Sequence, residues 1–515
     1  GATGHGDEEL LALCHHGFGC NGKPRLASTK KGRRRTSFAT HSPVRCTLGK
    51  FAMTDPLDRA TFHARRWLDS LPDRPVGATA TARDLRAALS GPLPETGRDA
   101  AAIIDDLATH AEPGLHANAG GRFFGWVMAG SLPSALAADW LVSAWDQNAG
   151  MFTVAPAASM IEEIAGEWLK QLFDLPQTSS FAFTTGCQMA HVTALAAARH
   201  GVLQKAGWNA ENDGLFGAPR IRILTSENRH RSLDSAIRHL GLGQASMTDV
   251  AINPMGDMRA DDLARHLAEW EGPKVVCLNA ADLNVGTFDD FRTLIPMAQA
   301  AGAWVHVDGA FGLFARTSDR LKHLTDGIDF ADSWATDGHK WLNVPYDCGF
   351  AIVRDSEAHR AALSLSAAYL SPSQDVRDPT DWNLELSRRA RSVPVYAALQ
   401  ELGRQGVADL VDRSCAYCAE IVNGIGALPN ARALNDPILN QGLVRFEHEG
   451  ASAEENDAFT DEIIRRVNEK GKAFFSGTTW QGQRVMRVSV VSWRTNEGDV
   501  ARTIAAVRKA LTEDG

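Results

Sequence analysis

The order of apolar and polar positions divides the chain into three regimes. From Pro56 to about residue 115, apolar residues recur at helical spacing. Phe62, Trp67 and Leu71 share one stripe, and Asp84–Leu89 and Ala100–His110 read as two further short helices. From about residue 160, helical and strand periods alternate. Ile161–Phe173 predicts a helix with Ile161, Ile164, Trp168 and Leu172 inward. Phe181–Thr185 is a short apolar strand, and a glycine turn leads from it into the alanine-rich helix Ala190–Lys205. Strands follow at Ile221–Thr225, Val275–Asn279, Trp304–Asp308 and Asp332–Thr336, with helices near 231–240, 258–270 and 290–301. Strand, crossover helix and strand in succession predict an α/β fold: a mostly parallel sheet flanked by helices on both faces.

After about residue 387 the pattern changes. A helix runs from near Leu386 towards Gly403, and another spans Val407–Ile425. Gly442–Phe446 (strand), Asp457–Asn468 (helix), Lys472–Ser476 and Val485–Val491 (strands) and a last helix from Asp499 complete the chain. The expected organisation is an N-terminal helical segment over residues 53–120, a large α/β domain over 121–386 and a small C-terminal α+β domain over 387–515. No fixed-period internal repeat interrupts it.

Residues 1–52 differ from the rest. They carry nine Lys or Arg against three Asp or Glu, centred on Lys30–Arg35, and have no hydrophobic period. The expectation is an irregular extension of non-native or upstream origin, with Met53 as the natural start. Because the whole chain is at −9, the remainder is more acidic still, which weighs against a nucleic-acid partner. No stretch approaches the roughly 20 apolar residues of a membrane-spanning helix. The eight cysteines lack disulfide-framework spacing, so a reducing cytoplasm is the expected location. Cys415-Ala-Tyr-Cys418 has CxxC spacing but lies in a helical pattern without a second Cys or His pair. Chance spacing is expected there, and no metal site.

Ligands of parallel sheets bind at the carboxyl ends of strands. Asp308 closes the apolar strand Trp304–Val307 in His306-Val307-Asp308-Gly309-Ala310, where a carboxylate is costly without a cationic partner. Lys340, in Asp337-Gly338-His339-Lys340-Trp341, follows the next strand. A lysine amine and a strand-end carboxylate are what pyridoxal phosphate (PLP) chemistry needs. One forms a Schiff base, and the other keeps the ring nitrogen protonated so that the ring accepts electrons. Partial burial, and the neighbouring positive charge of the cofactor, would help lower the Lys340 pKa. Thr184-Thr185-Gly186-Cys187-Gln188-Met189 joins a strand to a helix N-terminus, a geometry suited to a phosphate. His230, at a strand-to-helix turn, offers a flat ring for stacking. Its alternative is a surface or capping role. His339 either touches the cofactor or packs. Ala310 is small enough to let a ring lie against the backbone. Tyr369, beside the polar stretch Ser373–Trp382, offers a phenol on a loop as proton donor, with simple packing as the alternative.

Together these runs resemble the group II PLP-dependent amino-acid decarboxylases of fold type I. The resemblance extends from about Phe123 to Arg494 and rests chiefly on His306–Ala310 and Asp337–Leu342. It implies a seven-stranded-type sheet, with Lys340 as the cofactor anchor and Asp308 on the ring nitrogen. His230 and Ala310 would lie on the two ring faces, Gly186, Cys187, Gln188 and Met189 at the phosphate, and Tyr369 as loop proton donor. It places Phe124 and Trp126 on the substrate wall and Arg487 near the site, and implies a homodimer with active sites at the interface. Asp337 stands where relatives often have asparagine. Its charge would disfavour a phosphate, so it is expected to turn away or be paired.

The resulting expectation is a PLP-dependent decarboxylase acting on the α-carboxylate of an L-amino acid. Alternatives are an aminotransferase, an aldehyde-forming oxidative deaminase, a carbon–carbon lyase or a catalytically silent PLP-binding protein. Phe124, Trp126 and Phe152 suggest an apolar or aromatic pocket.

Overall fold

Strands β1 (Ser180–Thr184), β2 (Arg222–Ser226), β3 (Met247–Val250), β4 (Lys274–Asn279), β5 (Trp304–Asp308), β6 (Ser333–Asp337) and β7 (Gly349–Val353) form one sheet in the order 1-7-6-5-4-2-3. The computed structural model describes residues 55–364 and 376–512. The N-terminal extension and Tyr369, both singled out above, lie outside these residues. Strands β2 to β6 pair in parallel, and β7 is antiparallel to both β1 and β6. The expected mostly parallel α/β sheet is therefore present. Strands β3 and β7 add to the sequence reading. The first is a four-residue edge strand with one buried residue, and the second is an apolar run too short for its period to decide its type.

Helices α1 (Pro56–Ser70), α2 (Ala82–Leu89) and α3 (Ala100–Ala111) precede the sheet, followed by α4 (Pro133–Trp145), α5 (Pro156–Leu172) and α6 (Cys187–Lys205). On β4, Val276 and Leu278 join one apolar cluster, while Val275 and Cys277 join another that includes Ala190, Ala194 and Leu195 of α6. Alternate residues feed opposite faces, and both faces are covered, so these strands read as continuous apolar runs.

The buried face of α5 differs from the expected stripe. Ala158, Glu162, Ala165, Leu169 and Leu172 point inward, whereas Ile164 is exposed. Glu162 is drawn in by a buried pair with Arg388 at 2.5 Å. The helix expected from Leu386 begins at Ser392 instead and runs to Gly426. Pro394 belongs in a first turn, where a missing N–H costs nothing, because upstream helix would bring its ring against a carbonyl. Gly403 (φ 61°) kinks this helix near the expected break.

A second sheet, β8 (Ala431–Ala433), β9 (Gln441–Phe446), β10 (Ser476–Trp480) and β11 (Gln483–Ser489), is antiparallel in the order 10-11-9-8. Strand β10 starts where Lys472–Ser476 was expected to end, because Thr478 and Thr479 read as polar while serving as β-branched strand residues. The N-terminal segment is stitched to this region. Arg122 donates to the carbonyls of Pro72 and Lys472, and the Val76 N–H donates to the Gly471 carbonyl. Among the described residues no helix is long and apolar enough to cross a membrane.

Candidate active site

The carboxyl ends of β1, β5 and β6 and the start of β7 meet at one edge of the sheet. Register places Asp308 between Asn279 and Ala335, and pairs Gly349 with both Thr184 and Asp337. The turn after β1 approaches β7 so closely that a Cβ on Gly349 would stand 2.5 Å from the Gly186 carbonyl carbon. Gly186 itself holds φ 155°, ψ 178°, a region essentially reserved for glycine. This turn opens α6, and its residues Gly186, Cys187 and Gln188 border a cavity of about 750 Å³.

Gly186, Cys187, Gln188, His230, Asp308, Ala310, His339 and Lys340 all line that cavity, as do Trp126 and Arg487. Sequence reasoning pointed to these ten residues from runs far apart in the chain. Met189 is not on the wall. It packs against the apolar cluster on the α6 face of the sheet, because one residue along a helix turns the side chain by about 100°. Phe124 is likewise a core residue, 1% exposed and stacked on Phe475, because its segment pairs with Phe474 and Ser489 of the small sheet. Phe152 is absent from the cavity wall as well.

Asp308 is buried. Its Oδ1 accepts from the Ala310 N–H at 3.1 Å, and its Oδ2 lies 3.4 Å from Nε2 of His191. Burial alone would favour the neutral acid, but the imidazoles of His191 and His230 and the Ala310 amide outweigh it. The carboxyl is held well below its usual range. Lys340 extends its ammonium 2.8 Å from Asp337 Oδ2 and 5.7 Å from the centre of the Phe311 ring. Burial would lower its pKa, yet Asp337 and Asp308 more than compensate, and the pKa stands above the ordinary lysine value. Burial acts in the expected direction, and Asp337, which the expectation left out, reverses the net shift.

Asp337 does not turn away. It is paired, accepting from the Cys187 N–H at 2.6 Å while binding Lys340. His339 accepts from the Cys348 N–H through Nδ1, which leaves Nε2 to carry its proton near Asp337, and its ring lies against Tyr346 at 4.4 Å between centres. His230 caps the following helix, Arg231–His239, by accepting from the Ser232 N–H. The capping alternative therefore coexists with its place on the wall.

Sequence reasoning missed Asn228, Asn279, Asp282, Phe311 and Tyr346, which also line the cavity. Asn279 ends a strand beside Asp308, so its register would have pointed to it. The others sit on irregular segments that carry no periodic signal. The site's composition suits PLP: an amine, a buried anion and a helix N-terminus converge on one cavity large enough for a small heterocycle.

The pyridoxal-dependent decarboxylase conserved domain matches residues 83–447. The chain is 24% identical over 458 residues to an aromatic-L-amino-acid decarboxylase of Bacillus atrophaeus, covering 87% of this chain and 92% of that protein. It is 24% identical over 427 residues to a 4-hydroxyphenylacetaldehyde synthase of Rhodiola rosea, covering 80% and 85% respectively. The structure of Oryza sativa TDC with PLP and tryptamine superposes with a TM-score of 0.83 at 22% identity, over 92% of this chain and 99% of that one. With the family match spanning most of the chain, and a lysine, a carboxylate and a glycine turn meeting in one cavity, this protein belongs to the pyridoxal-dependent decarboxylase family.

Proposed function

We propose that the protein removes the α-carboxylate of an L-amino acid, yielding an amine and CO2. The observation that carries this reading is the convergence of Lys340, Asp308 and the Gly186–Gln188 turn on one cavity, in a chain of this family. These groups match the aldehyde, ring nitrogen and phosphate of PLP. When bound, the cofactor supplies an electron-withdrawing ring that takes up the electron pair of a breaking Cα bond. Lys340 is the amine that would hold the aldehyde, and Asp308 would keep the ring nitrogen protonated. The amides of Cys187 and Gln188 would meet the phosphate. His230 and Ala310 would bracket the ring, and His339 would border it. Trp126 and Arg487, on the same cavity wall, would orient the substrate side chain. As the Cα–carboxylate bond breaks and CO2 leaves, a proton takes its place at Cα. We assign that proton to Tyr369, on the strength of the family resemblance.

The test is CO2 and amine yield across the twenty amino acids plus diaminobutyrate and cysteine sulfinate. Equal yields of the two products support the reading, whereas turnover that needs a keto acid and releases no CO2 sinks it. Lys340→Ala should leave no cofactor attached after borohydride reduction. Tyr369→Phe should retain the cofactor while slowing or diverting amine formation.

A second reading, formation of an aldehyde with loss of the amine, draws support from the similarity to the Rhodiola rosea synthase. Consumption of dioxygen, with aldehyde, ammonia and hydrogen peroxide formed alongside CO2 in place of the amine, would favour it.

We also propose a homodimer. Trp140, Leu141 and Trp145 on α4 and Met160 and Ile164 on α5 are exposed apolar residues, the composition of a surface that a second copy would cover. A monomeric mass by light scattering would contradict this.

A further inference from the structure

Behind Asp308, away from the cavity, lies a buried polar chain that begins in the strand period. Trp304, His306 and Asp308 alternate onto the α6 face of β5. On α6, Cys187 and His191 stand one turn apart, on the side that meets Asp308. On β6, Ser333 is in register with His306. Four contacts follow from this placement. Trp304 Nε1–H donates to Ser333 Oγ at 2.9 Å. Ser333 Oγ and His306 Nδ1 are 2.9 Å apart, and His306 Nε2 and His191 Nδ1 are 2.9 Å apart. His191 Nε2 and Asp308 Oδ2 are 3.4 Å apart. His191, His306 and Ser333 are fully buried.

The proton order along this chain can be worked out. An indole only donates, so Ser333 Oγ accepts from Trp304 and has one proton to give. If it gives that proton to His306 Nδ1, then neutral His306 carries its proton on Nε2 and donates to His191 Nδ1. Neutral His191 then carries its proton on Nε2, facing Asp308. Every donor is used, and the only charge in the chain is the Asp308 carboxylate. The reverse order would put the bare Nε2 lone pair of His191 against Asp308, which is tolerable only if Asp308 is protonated. Burial pushes the His306 pKa down to about 3, in keeping with a neutral link.

We propose that His191 is a positioning residue that holds Asp308 ionised and fixes its orientation, through a directed hydrogen-bond chain anchored at Trp304. The proposal rests on the reading of Asp308 as the partner of the cofactor's ring nitrogen. A carboxylate that stays ionised keeps that nitrogen protonated, and with it the electron-withdrawing power on which the reaction depends. The other groups facing the pair are the Cys187 thiol, 3.5 Å from His191 Nε2 and 3.8 Å from Asp308 Oδ1, and His230, Asp337 and Lys340 on the cavity wall.

The test uses His191→Phe, Ser333→Ala and Ser333→Thr, with two readouts besides activity. In the cofactor-free full-length protein, the carboxyl carbon of Asp308 is followed by NMR from pH 8 to pH 5. The wild type and Ser333→Thr should stay ionised throughout. His191→Phe should take up a proton within this window, and Ser333→Ala should shift in the same direction by less. With PLP labelled at the ring nitrogen, the same variants should show a nitrogen that loses its proton at lower pH, with cofactor affinity at least tenfold weaker in His191→Phe. If Asp308 remains ionised in both His191→Phe and Ser333→Ala, the proposal is overturned. Ser333→Ala is remote from the cavity and carries the test should His191→Phe not fold. A wild type that binds PLP without protonating its ring would defeat the cofactor reading instead, and the cofactor-free measurement would still decide the role of His191.

Discussion

The Cys187 N–H donates to the Asp337 carboxylate at 2.6 Å, so the first amide of the helix assigned to the cofactor phosphate already holds an anion of this chain. The same carboxylate binds the Lys340 ammonium. Asp337 therefore fills in for the phosphate at one end and restrains the amine at the other. Asp337→Asn keeps an acceptor for the amide but removes the charge. The affinity for PLP should rise by on the order of tenfold, about 1.4 kcal/mol, read by fluorescence titration of the cofactor-free protein. The raised pKa of Lys340 should fall, so PLP uptake should proceed at lower pH than in the wild type. Unchanged affinity together with an unchanged pH profile would exclude this role.

Two buried histidines set an acid limit on stability. His306 and His359 are both pushed down to about 3 by burial. His359 is tied to Ser180 through Nδ1 and to the Trp382 carbonyl through Nε2. Both stay neutral in the fold as pH drops below the unfolded value near 6.5, where the unfolded chain takes up two more protons. Their contribution is present above that value and is lost as pH falls towards 3, by roughly 1.4 kcal/mol per pH unit for each. Urea unfolding midpoints between pH 7.5 and 5.5 should fall accordingly, and His359→Gln should flatten the slope.

Glu162 and Arg388 form a pair with no exposed side-chain surface, and Arg388 also donates to the carbonyls of Ala149 and Phe183. Arg388→Met should destabilise by roughly 3 kcal/mol, because it leaves the buried Glu162 carboxylate with Arg377, 3.3 Å away, in place of two guanidinium partners. The double variant with Glu162→Leu should recover little of that loss, because it takes the carboxylate away from Arg377 as well. A single variant as stable as the wild type in urea would show that the pair is not what orders this corner.

Tyr346 and Tyr369 are two phenols with different assignments. Tyr346 lines the cavity and packs on His339. Tyr346→Phe keeps the ring and should leave amine yield unchanged, whereas Tyr346→Ala should free His339 and weaken PLP binding. If Tyr346→Phe abolishes amine formation while Tyr369→Phe does not, the proton donor has been assigned to the wrong residue.

Much of this site was legible because strand ends announce themselves. A carboxylate closing Trp304–Val307, and a lysine just beyond the next apolar run, are unusual positions for charge. What escaped were features made by packing across the sequence. His191 reads as one more residue of an alanine-rich helix, and only its meeting with β5 gives it partners. Glu162 and Arg388 find each other across more than two hundred residues, and that contact turns Glu162 inward while Ile164 is left outside the buried face of α5. Phe124 and Trp126 sit two apart, and the small sheet decides which of them enters the core.

The contact between Gly186 and Gly349 reaches into how the chain assembles. Strand β7 joins its neighbours in opposed direction, so a slip of one residue would replace Gly349 by Cys348 or Phe350 at the point of closest approach. No side chain fits there, so a misaligned strand cannot close the sheet around a finished pocket. The two hydrogen-only residues thus act as a check on strand alignment, tying correct pairing of β7 with the edge strand β1 to the completion of the binding cleft.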